Sequence, residues 1–188
     1  MNITHENSRE AILAAARKAA QARGYNGLNF RELAKEVGIK PASIYYHFPS
    51  KADLGVAVAR RYWEDTKANL ESMRIETPDP LTCLHRYPEI FRRSLENSNR
   101  LCLGSFMSAE YDDLPDAVKR EVQTFTDINV GWLNTIISRM NSTSSQDIGR
   151  AQAIFAAVSG AQLMARSRSD ISLFDQIIEN YRNIGLLG

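Results

Sequence analysis

The chain has 188 residues, of which 44% are hydrophobic and 24% are charged, so an intrinsically disordered chain is not expected. A net charge of +1 argues against a protein that coats nucleic acid with its whole surface. The charge is uneven, because residues 1–75 carry 12 Lys and Arg against 8 Asp and Glu, and the rest carries 11 against 14. This asymmetry is typical of a module that touches phosphate at one end only.

Cysteine and histidine usage excludes several classes of protein. Cys83 and Cys102 are too few for a disulfide framework or a zinc site, and the three histidines are scattered. There is no HExxH motif, no Cys pair and no glycine-rich phosphate loop. We therefore expect no enzyme activity, no catalytic residues, no metal and no cofactor.

The N-terminus and the hydropathy pattern indicate where the protein acts. The first ten residues, MNITHENSRE, are polar and acidic, whereas a signal peptide would be basic and then apolar. No apolar run approaches the length of a membrane span. We expect a cytoplasmic protein that does not enter the membrane.

The first predicted helix begins near Ser8, after a loose end that reaches about Asn7. Ile12, Leu13 and Ala16 recur at helical spacing, and Gly24 ends the run as a glycine after a helix C-terminus does. The residues that follow, Tyr-Asn-Gly at 25–27, predict a turn.

Residues 29–54, NFRELAKEVGIKPASIYYHFPSKADL, carry the most informative pattern in the chain. Asn29 and Glu32 have the spacing of a capping box and predict a helix over residues 30–37. Gly38 can take a positive φ, and Pro41 suits the first turn of a second helix. The stretch therefore predicts two short helices joined by a tight turn.

The second of these helices has one apolar and one polar face. Ile44 and Phe48 lie four residues apart and are expected to face inward. The outward residues are small at the N-terminal end and hydrogen-bonding at the other, which suits a recognition helix in a DNA major groove. These outward residues are Ala42, Ser43, Tyr45, Tyr46 and His47.

A third helix of this region is predicted from Ser50, after the two short helices, and Ser50 forms a second capping box with Asp53. Lys51 lies in the first turn, where the helix dipole disfavours a cation. Its position is explained if a phosphate binds there to both the ammonium group and the helix amides.

The rest of the chain also has helical periodicity. The third helix carries Leu54, Val58 and Tyr62 inward and reaches about residue 73. Pro78 and Pro80 predict a break. We therefore expect a helix-turn-helix domain over residues 1–54, a connecting helix over about 50–73 and a second domain over 78–188.

Five or six helices are expected in the second domain. Residues 81–95 predict a helix kinked at Pro88, and residues 101–111 predict two short pieces or one bent helix. Residues 115–140 and 146–168 predict two long helices, separated by a loop at 141–145 and followed by a helix capped by Asp170. With no alternation of period two, the prediction is an all-α protein of about nine helices.

At this point the sequence resembles a known family. The run Gly38-Ile-Lys-Pro-Ala-Ser-Ile-Tyr-Tyr-His-Phe-Pro-Ser-Lys51 resembles the helix-turn-helix signature of tetracycline-repressor-like (TetR) transcriptional regulators. The resemblance covers about the first 65 residues and implies a double-stranded DNA operator as partner. The DNA-binding residues that it implies are Asn29, Lys40, Pro41, Ala42, Ser43, Tyr45, Tyr46, His47 and Lys51.

The resemblance implies specific roles for these residues. Ala42, Ser43 and Tyr46 are expected nearest the base edges, with Lys40 able to reach base or backbone. The remaining polar side chains are expected to hold phosphates, which position the protein without choosing a sequence.

The resemblance also implies a homodimer, joined through the two long helices, and a small-molecule inducer that binds the second domain. Ligand binding is expected to shift the connecting helix and to separate the two recognition helices of a repressor from successive major grooves. Candidate ligand-binding residues are Phe91, Cys102, Phe106, Met107, Phe125, Trp132 and Phe155.

Two alternatives stay open at the level of sequence. Cys102 is either a thiol sensor of electrophiles, favoured by nearby Arg100, or a small buried hydrophobe. The chain as a whole could instead be a helical adaptor that binds no DNA, since helix-turn-helix geometry also occurs in such proteins.

Overall fold

The computed structural model describes residues 5–140 and 147–188, and over these the protein is all-α, as the sequence predicts. Two 3₁₀ turns, Tyr25–Gly27 and Tyr111–Asp113, punctuate the helices. No strand occurs within the described ranges. The helices are α1 His5–Arg23, α2 Phe30–Val37, α3 Pro41–His47, α4 Lys51–Glu76, α5 Pro80–Arg86, α6 Glu89–Glu96, α7 Leu103–Ala109, α8 Asp116–Met140, α9 Asp147–Arg168 and α10 Ile171–Asn183.

The described residues form ten α-helices, in agreement with the expected number of about nine, and the division at Pro88 accounts for the additional one. Residues 81–95 were expected to form one kinked helix, but they form α5 and α6 with Tyr87 and Pro88 between them. Proline lacks an amide hydrogen and its ring crowds the preceding turn. The main-chain ladder therefore stops at Tyr87, whose N–H bonds to Leu84 O at 3.1 Å, and starts again after Pro88.

The remaining boundaries agree with expectation to within a few residues. α1 begins at His5, so the expected loose end is wrong for residues 5–7, and α4 continues three residues beyond 73. α7 and the following 3₁₀ turn resolve the open alternative at residues 101–111 in favour of two short pieces. The loop expected at 141–145 lies outside the described residues.

The chain forms two compact units, of which unit 1 comprises residues 1–63 and 103–124 and unit 2 comprises residues 64–102 and 125–188. Unit 1 therefore contains α1, α2, α3 and α7 with the first parts of α4 and α8. These compact units do not test the domain boundary that is expected near Pro78, and that boundary stays a prediction.

The core of unit 1 is apolar, and it fixes which face of α3 points inward. Ile44 and Phe48 are 0% and 3% exposed, as expected from their spacing. Further large side chains of this core are likewise almost fully buried, and they include Ile12, Leu28, Leu33, Leu54, Val58, Tyr62 and Met107.

A buried carboxylate joins α8 to α4 within unit 1. Glu121 pairs with Arg60 and accepts a 2.7 Å hydrogen bond from Trp63 Nε1, although only 9% of Glu121 is exposed. Burial alone raises the pKa of this carboxyl group, but the bonds from Arg60 and Trp63 outweigh it and hold the pKa below its ordinary value.

Unit 2 is built on apolar faces of α6, α8, α9 and α10 with α5 and the end of α4. Ala151, Val158 and Ala165 of α9 are buried, as their spacing predicts. Ile148 was expected on the same face but is 46% exposed, because it lies in the first turn of α9, before the packed part of the helix begins. None of the helices described is long and apolar enough to cross a bilayer.

The first prediction concerns Glu121. Glu121→Gln keeps the shape of the side chain but removes the charge, and we expect it to lower the free energy of unfolding at pH 7 by about 1–2 kcal/mol. Because the folded-state pKa is depressed, this stabilisation is complete above the unfolded pKa of about 4.3 and is lost as the pH falls through the folded pKa.

Urea unfolding of both proteins between pH 3 and 8 measures the difference. Glu10→Gln, an exposed carboxylate of the same unit, is the matched control and should change stability by much less. A difference for Glu121→Gln that is the same at pH 3 and pH 7 would contradict the assignment.

Candidate nucleic-acid interface

The turn between α2 and α3 has the conformation that its sequence demands. Asn29 caps α2 and accepts from the N–H groups of Arg31 and Glu32 at 2.9 and 3.2 Å. Gly38 ends α2 with φ +75°, in the left-handed region that favours glycine. Pro41 is the first residue of α3, where its missing N–H costs nothing.

The expected capping box at Asn29 forms only by half. The carboxylate of Glu32 does not return to the Asn29 amide, because it binds the Arg23 guanidinium at 2.7 Å. The Asn29 N–H donates instead to the Gly27 carbonyl. A charged partner is a stronger attraction for a carboxylate than a neutral amide, which explains the difference.

The second capping pair caps α4 as predicted, but its return bond joins the two side chains and does not use the Ser50 main-chain N–H. Ser50 Oγ accepts from the Asp53 N–H at 3.1 Å and donates to the Asp53 carboxylate at 2.7 Å. It fixes the start of α4 and thereby the position of Lys51.

The outward face of α3 is open to solvent. Tyr45 is 57% exposed and Tyr46 is 74% exposed, so both rings lie largely in solvent. Lys40, Pro41 and Ala42 are exposed as well. Ser43 and His47 are half-buried on the same helix.

A cleft of about 410 Å³ lies beside α3 in unit 1, and Lys51 is on its wall. The Lys51 ammonium lies 4.5 Å from the centre of the Tyr25 ring and 3.4 Å from Asn26 Oδ1. Tyr45 packs on Phe30 with ring centres 4.7 Å apart and forms another wall. The cleft is lined by Asn26, Leu28, Asn29, Phe30, Arg31, Tyr45 and Lys51.

Two polar lining residues, Asn26 and Arg31, were not among the expected DNA contacts. Arg31 follows the N-cap of α2, where the dipole disfavours a cation as it does at Lys51. The signal that identified Lys51 was therefore also present at Arg31. Asn26 gave no such signal, because its place in the cleft depends on the turn at Tyr25–Gly27.

The ligand-binding candidates fall into both units. Phe106 and Met107 belong to α7 in unit 1, and Met107 is buried. In unit 2, four of the candidates form one aromatic cluster with Tyr87, in which neighbouring ring centres are 5.7 to 6.3 Å apart. This aromatic cluster consists of Tyr87, Phe91, Phe125, Trp132 and Phe155.

The polar groups near the aromatic cluster are mostly paired. The buried Tyr87 hydroxyl donates to Asn129 Oδ1 at 2.9 Å, and its burial, with a smaller effect of Cys102, raises the pKa of Tyr87 well above its ordinary value. Gln162 is fully buried and bonds to Phe91 O at 2.7 Å. Trp132 Nε1, by contrast, is buried without a hydrogen-bond partner in the described chain.

Cys102, the remaining candidate, is 1% exposed. Its N–H donates to Gln162 Oε1 at 3.2 Å, so Gln162 links the Cys102 and Phe91 main chains. The burial of its side chain agrees with the small-hydrophobe alternative.

An exposed short helix behind a glycine turn, beside a cleft with two cations, is the arrangement expected of a helix-turn-helix DNA-binding protein. Comparison with known proteins agrees with this class. Residues 12–58 match the family model described as bacterial regulatory proteins, tetR family. Residues 12–58 form a TetR-family helix-turn-helix domain, and the chain is similar to TetR-family transcriptional regulators over nearly its whole length.

Relatives match nearly the whole chain. The HTH-type transcriptional regulator RutR of Escherichia coli K12 is 26% identical over 96% of this chain and 89% of its own length. A TetR transcriptional regulator from Legionella pneumophila superposes with a TM-score of 0.88 at 28% identity, over 98% of this chain and 99% of its own. A TetR-family regulator from Agrobacterium tumefaciens superposes with a TM-score of 0.88 at 26% identity, over 94% of this chain and 96% of its own.

The second prediction concerns the cations of the cleft. Lys51→Ala and Arg31→Ala should each weaken binding to every DNA sequence by about fivefold, because a charge-assisted contact to phosphate is lost. Each should also reduce the slope of log K against log salt by about 0.9. Fluorescence anisotropy titrations at four salt concentrations measure both effects.

Lys67→Ala is the matched control, since it removes the same charge from an exposed position of α4 in unit 2. Equal salt slopes for Lys51→Ala, Lys67→Ala and the unchanged protein would show that Lys51 holds no phosphate. Ser43→Ala should instead change the preference among DNA sites.

Proposed function

We propose that the protein is a homodimeric cytoplasmic repressor that binds its operator with one α3 helix per protomer and is released by a small molecule bound in unit 2. The exposed face of α3 beside the two-cation cleft is the observation that carries the proposal. The similarity to TetR-family regulators supports it, because the relatives compared above are described as transcriptional regulators.

The geometry supports different roles for different residues of α3, some at base edges and others at phosphates. Tyr46 is the most exposed large residue of the helix and, with Ala42 and Ser43, is proposed to meet base edges. Tyr45 is held against Phe30 at the cleft and is proposed to contact a phosphate. His47, Asn29 and Lys51 are proposed as further phosphate contacts, with Lys40 able to reach either part of the DNA.

An exposed face of α9 supports the proposed dimer. Gly160, Leu163 and Met164 are exposed on the side of α9 opposite Val158 and Ala165, and Leu163 and Met164 are 57% and 53% exposed. Ala153 and Ala156 continue this face toward the N-terminus of the helix. A stripe of small residues with two large apolar ones allows close helix packing between protomers.

The third prediction tests this face. Leu163→Arg should convert the dimer to a monomer, because an arginine at the centre of an apolar contact would have to be desolvated without a partner. Light scattering after size exclusion at micromolar concentration measures the mass. Gln176→Arg, an exposed residue of α10 with the same change in charge, should leave the mass unchanged.

The melting temperature should be recorded beside the mass. Leu163 is exposed within its own chain, so the variant protomer is expected to remain folded. A Leu163→Arg protein with the dimer mass would contradict the proposed interface.

The aromatic cluster of unit 2 supports a chemical class for the inducer. Five aromatic rings lie together there, and the buried N–H of Trp132 has no partner within the described chain. A planar aromatic molecule with a hydrogen-bond acceptor could stack on the rings and accept from Trp132 Nε1. Modification of Cys102 is the other proposed trigger, although its burial makes it accessible only when unit 2 opens.

The fourth prediction is that operator and inducer weaken each other. If one state binds DNA and the other binds the inducer, the factor by which each ligand lowers the affinity of the other must be equal. The operator is first obtained by selecting fragments of genomic DNA on the immobilised protein. A panel of planar aromatic acids, amides and quinones is then screened for quenching of tryptophan fluorescence, with Trp132→Phe as control.

Anisotropy titration with the selected fragment, with and without the quenching compound, measures the coupling. We expect at least a fivefold loss of affinity in both directions. Failure to enrich any fragment over scrambled DNA would contradict the regulator and favour an adaptor. Release of DNA by N-ethylmaleimide that is lost in Cys102→Ser would favour the thiol route over the noncovalent one.

A further inference from the structure

Glu110 is distant in sequence from the helix-turn-helix but contacts its supporting turn. It precedes the 3₁₀ turn Tyr111–Asp113, and its carboxylate accepts a 2.7 Å hydrogen bond from the Tyr25 N–H, 85 residues away. Tyr25 is only 9% exposed and lies two residues after the end of α1. A buried amide at this place needs an acceptor, and Glu110 supplies it.

Gly24 shows how closely the carboxylate approaches the turn. A Cβ at this position would lie 2.0 Å from Glu110 Oε1, and Gly24 has φ +65°. The absence of a side chain at residue 24 therefore makes room for the carboxylate as well as permitting the backbone conformation. The Glu110 carboxylate therefore contacts two successive residues of the turn, Gly24 and Tyr25.

Tyr25 connects this hydrogen bond to the cleft. Its ring is the surface against which the Lys51 ammonium rests at 4.5 Å, and the next residue, Asn26, provides the second Lys51 contact. The same ring packs on the backbone of α4, where a Cβ at Gly55 would lie 2.7 Å from it. The position of Tyr25 therefore determines where Lys51 can place its charge.

We propose that Glu110 is a positioning residue for DNA binding, which holds the turn at Tyr25–Gly27 so that Lys51 stays at the cleft. Glu110 has no proposed contact with DNA and acts through Tyr25 and Asn26. This inference rests on the phosphate-binding role of Lys51 that is proposed above. It makes the affinity for DNA dependent on the segment between α7 and α8, which lies outside the matched residues 12–58.

Electrostatics and positioning predict opposite results for removal of this carboxylate. Removal of a negative charge from unit 1 should by itself raise the affinity for DNA slightly. If Glu110 positions Lys51, Glu110→Ala should instead weaken binding to all sequences by about fivefold and reduce the salt slope by about the same amount as Lys51→Ala.

The experiment is a double-mutant cycle measured by anisotropy at four salt concentrations. The proteins are the unchanged chain, Glu110→Ala, Lys51→Ala and the double variant. We expect the double variant to bind no more weakly than Lys51→Ala alone, because both changes remove the same phosphate contact. Additive effects on affinity and salt slope would overturn the inference.

Three further variants separate positioning from charge and from folding. Glu110→Gln keeps an acceptor for the Tyr25 N–H without the charge and should retain full affinity. Glu110→Asp keeps the charge but withdraws the acceptor by one methylene, so this variant should bind DNA more weakly and with a smaller salt slope. It provides the test even if Glu110→Ala does not fold. Glu10→Ala, which removes an exposed carboxylate of unit 1, should not weaken binding.

The possible failures are distinguishable. If Lys51→Ala leaves the salt slope unchanged, the phosphate role of Lys51 is wrong and this inference falls with it. If Lys51→Ala lowers the slope while Glu110→Asp and Glu110→Ala behave like Glu10→Ala, only the role of Glu110 is wrong.

Discussion

The burial of Ile44 and Phe48 is the constraint on which the proposed DNA-binding surface depends. α3 has seven residues, and an isolated helix of that length is unstable in water because nucleation is costly. Its conformation is therefore supplied by packing, with Ile44 and Phe48 almost fully enclosed by the core of unit 1. Because these two side chains determine the rotation of the helix, Tyr45 and Tyr46 must face solvent.

Buried polar groups then determine how the helices meet within each unit. Glu121 joins α8 to α4 in unit 1, and Gln162 joins α9 to the main chain at Phe91 and Cys102 in unit 2. Apolar contacts tolerate small shifts, whereas a buried polar group loses its partner when a helix slides. Such groups favour discrete arrangements over gradual deformation, which is a requirement for a protein that switches between two states.

Local chemistry made the helix-turn-helix predictable. Helix ends at Asn29, Gly38, Pro41 and Ser50 follow from capping and backbone preferences that act over four residues or fewer, and all four are confirmed. Pro88 was expected to kink one helix but separates two helices. The sequence does not show whether the helical hydrogen bonds on either side of a proline continue across it. The Asn29 box formed by half, because the competing Arg23 is brought to Glu32 by the packing of α1 on α2.

The amino-acid sequence by itself determined the all-α class, the helix-turn-helix and the resemblance to the TetR family, since each depends on periodicity or on a contiguous run of residues. Only the tertiary structure decided the cleft shared by Asn26, Arg31 and Lys51, the aromatic cluster of unit 2 and the bond from Tyr25 to Glu110. Each of these sites depends on contacts between residues far apart in the sequence, such as Asn26–Lys51 at 25 positions and Tyr25–Glu110 at 85 positions. Contacts of that kind arise from the packing of whole helices, and no local preference of either partner encodes them.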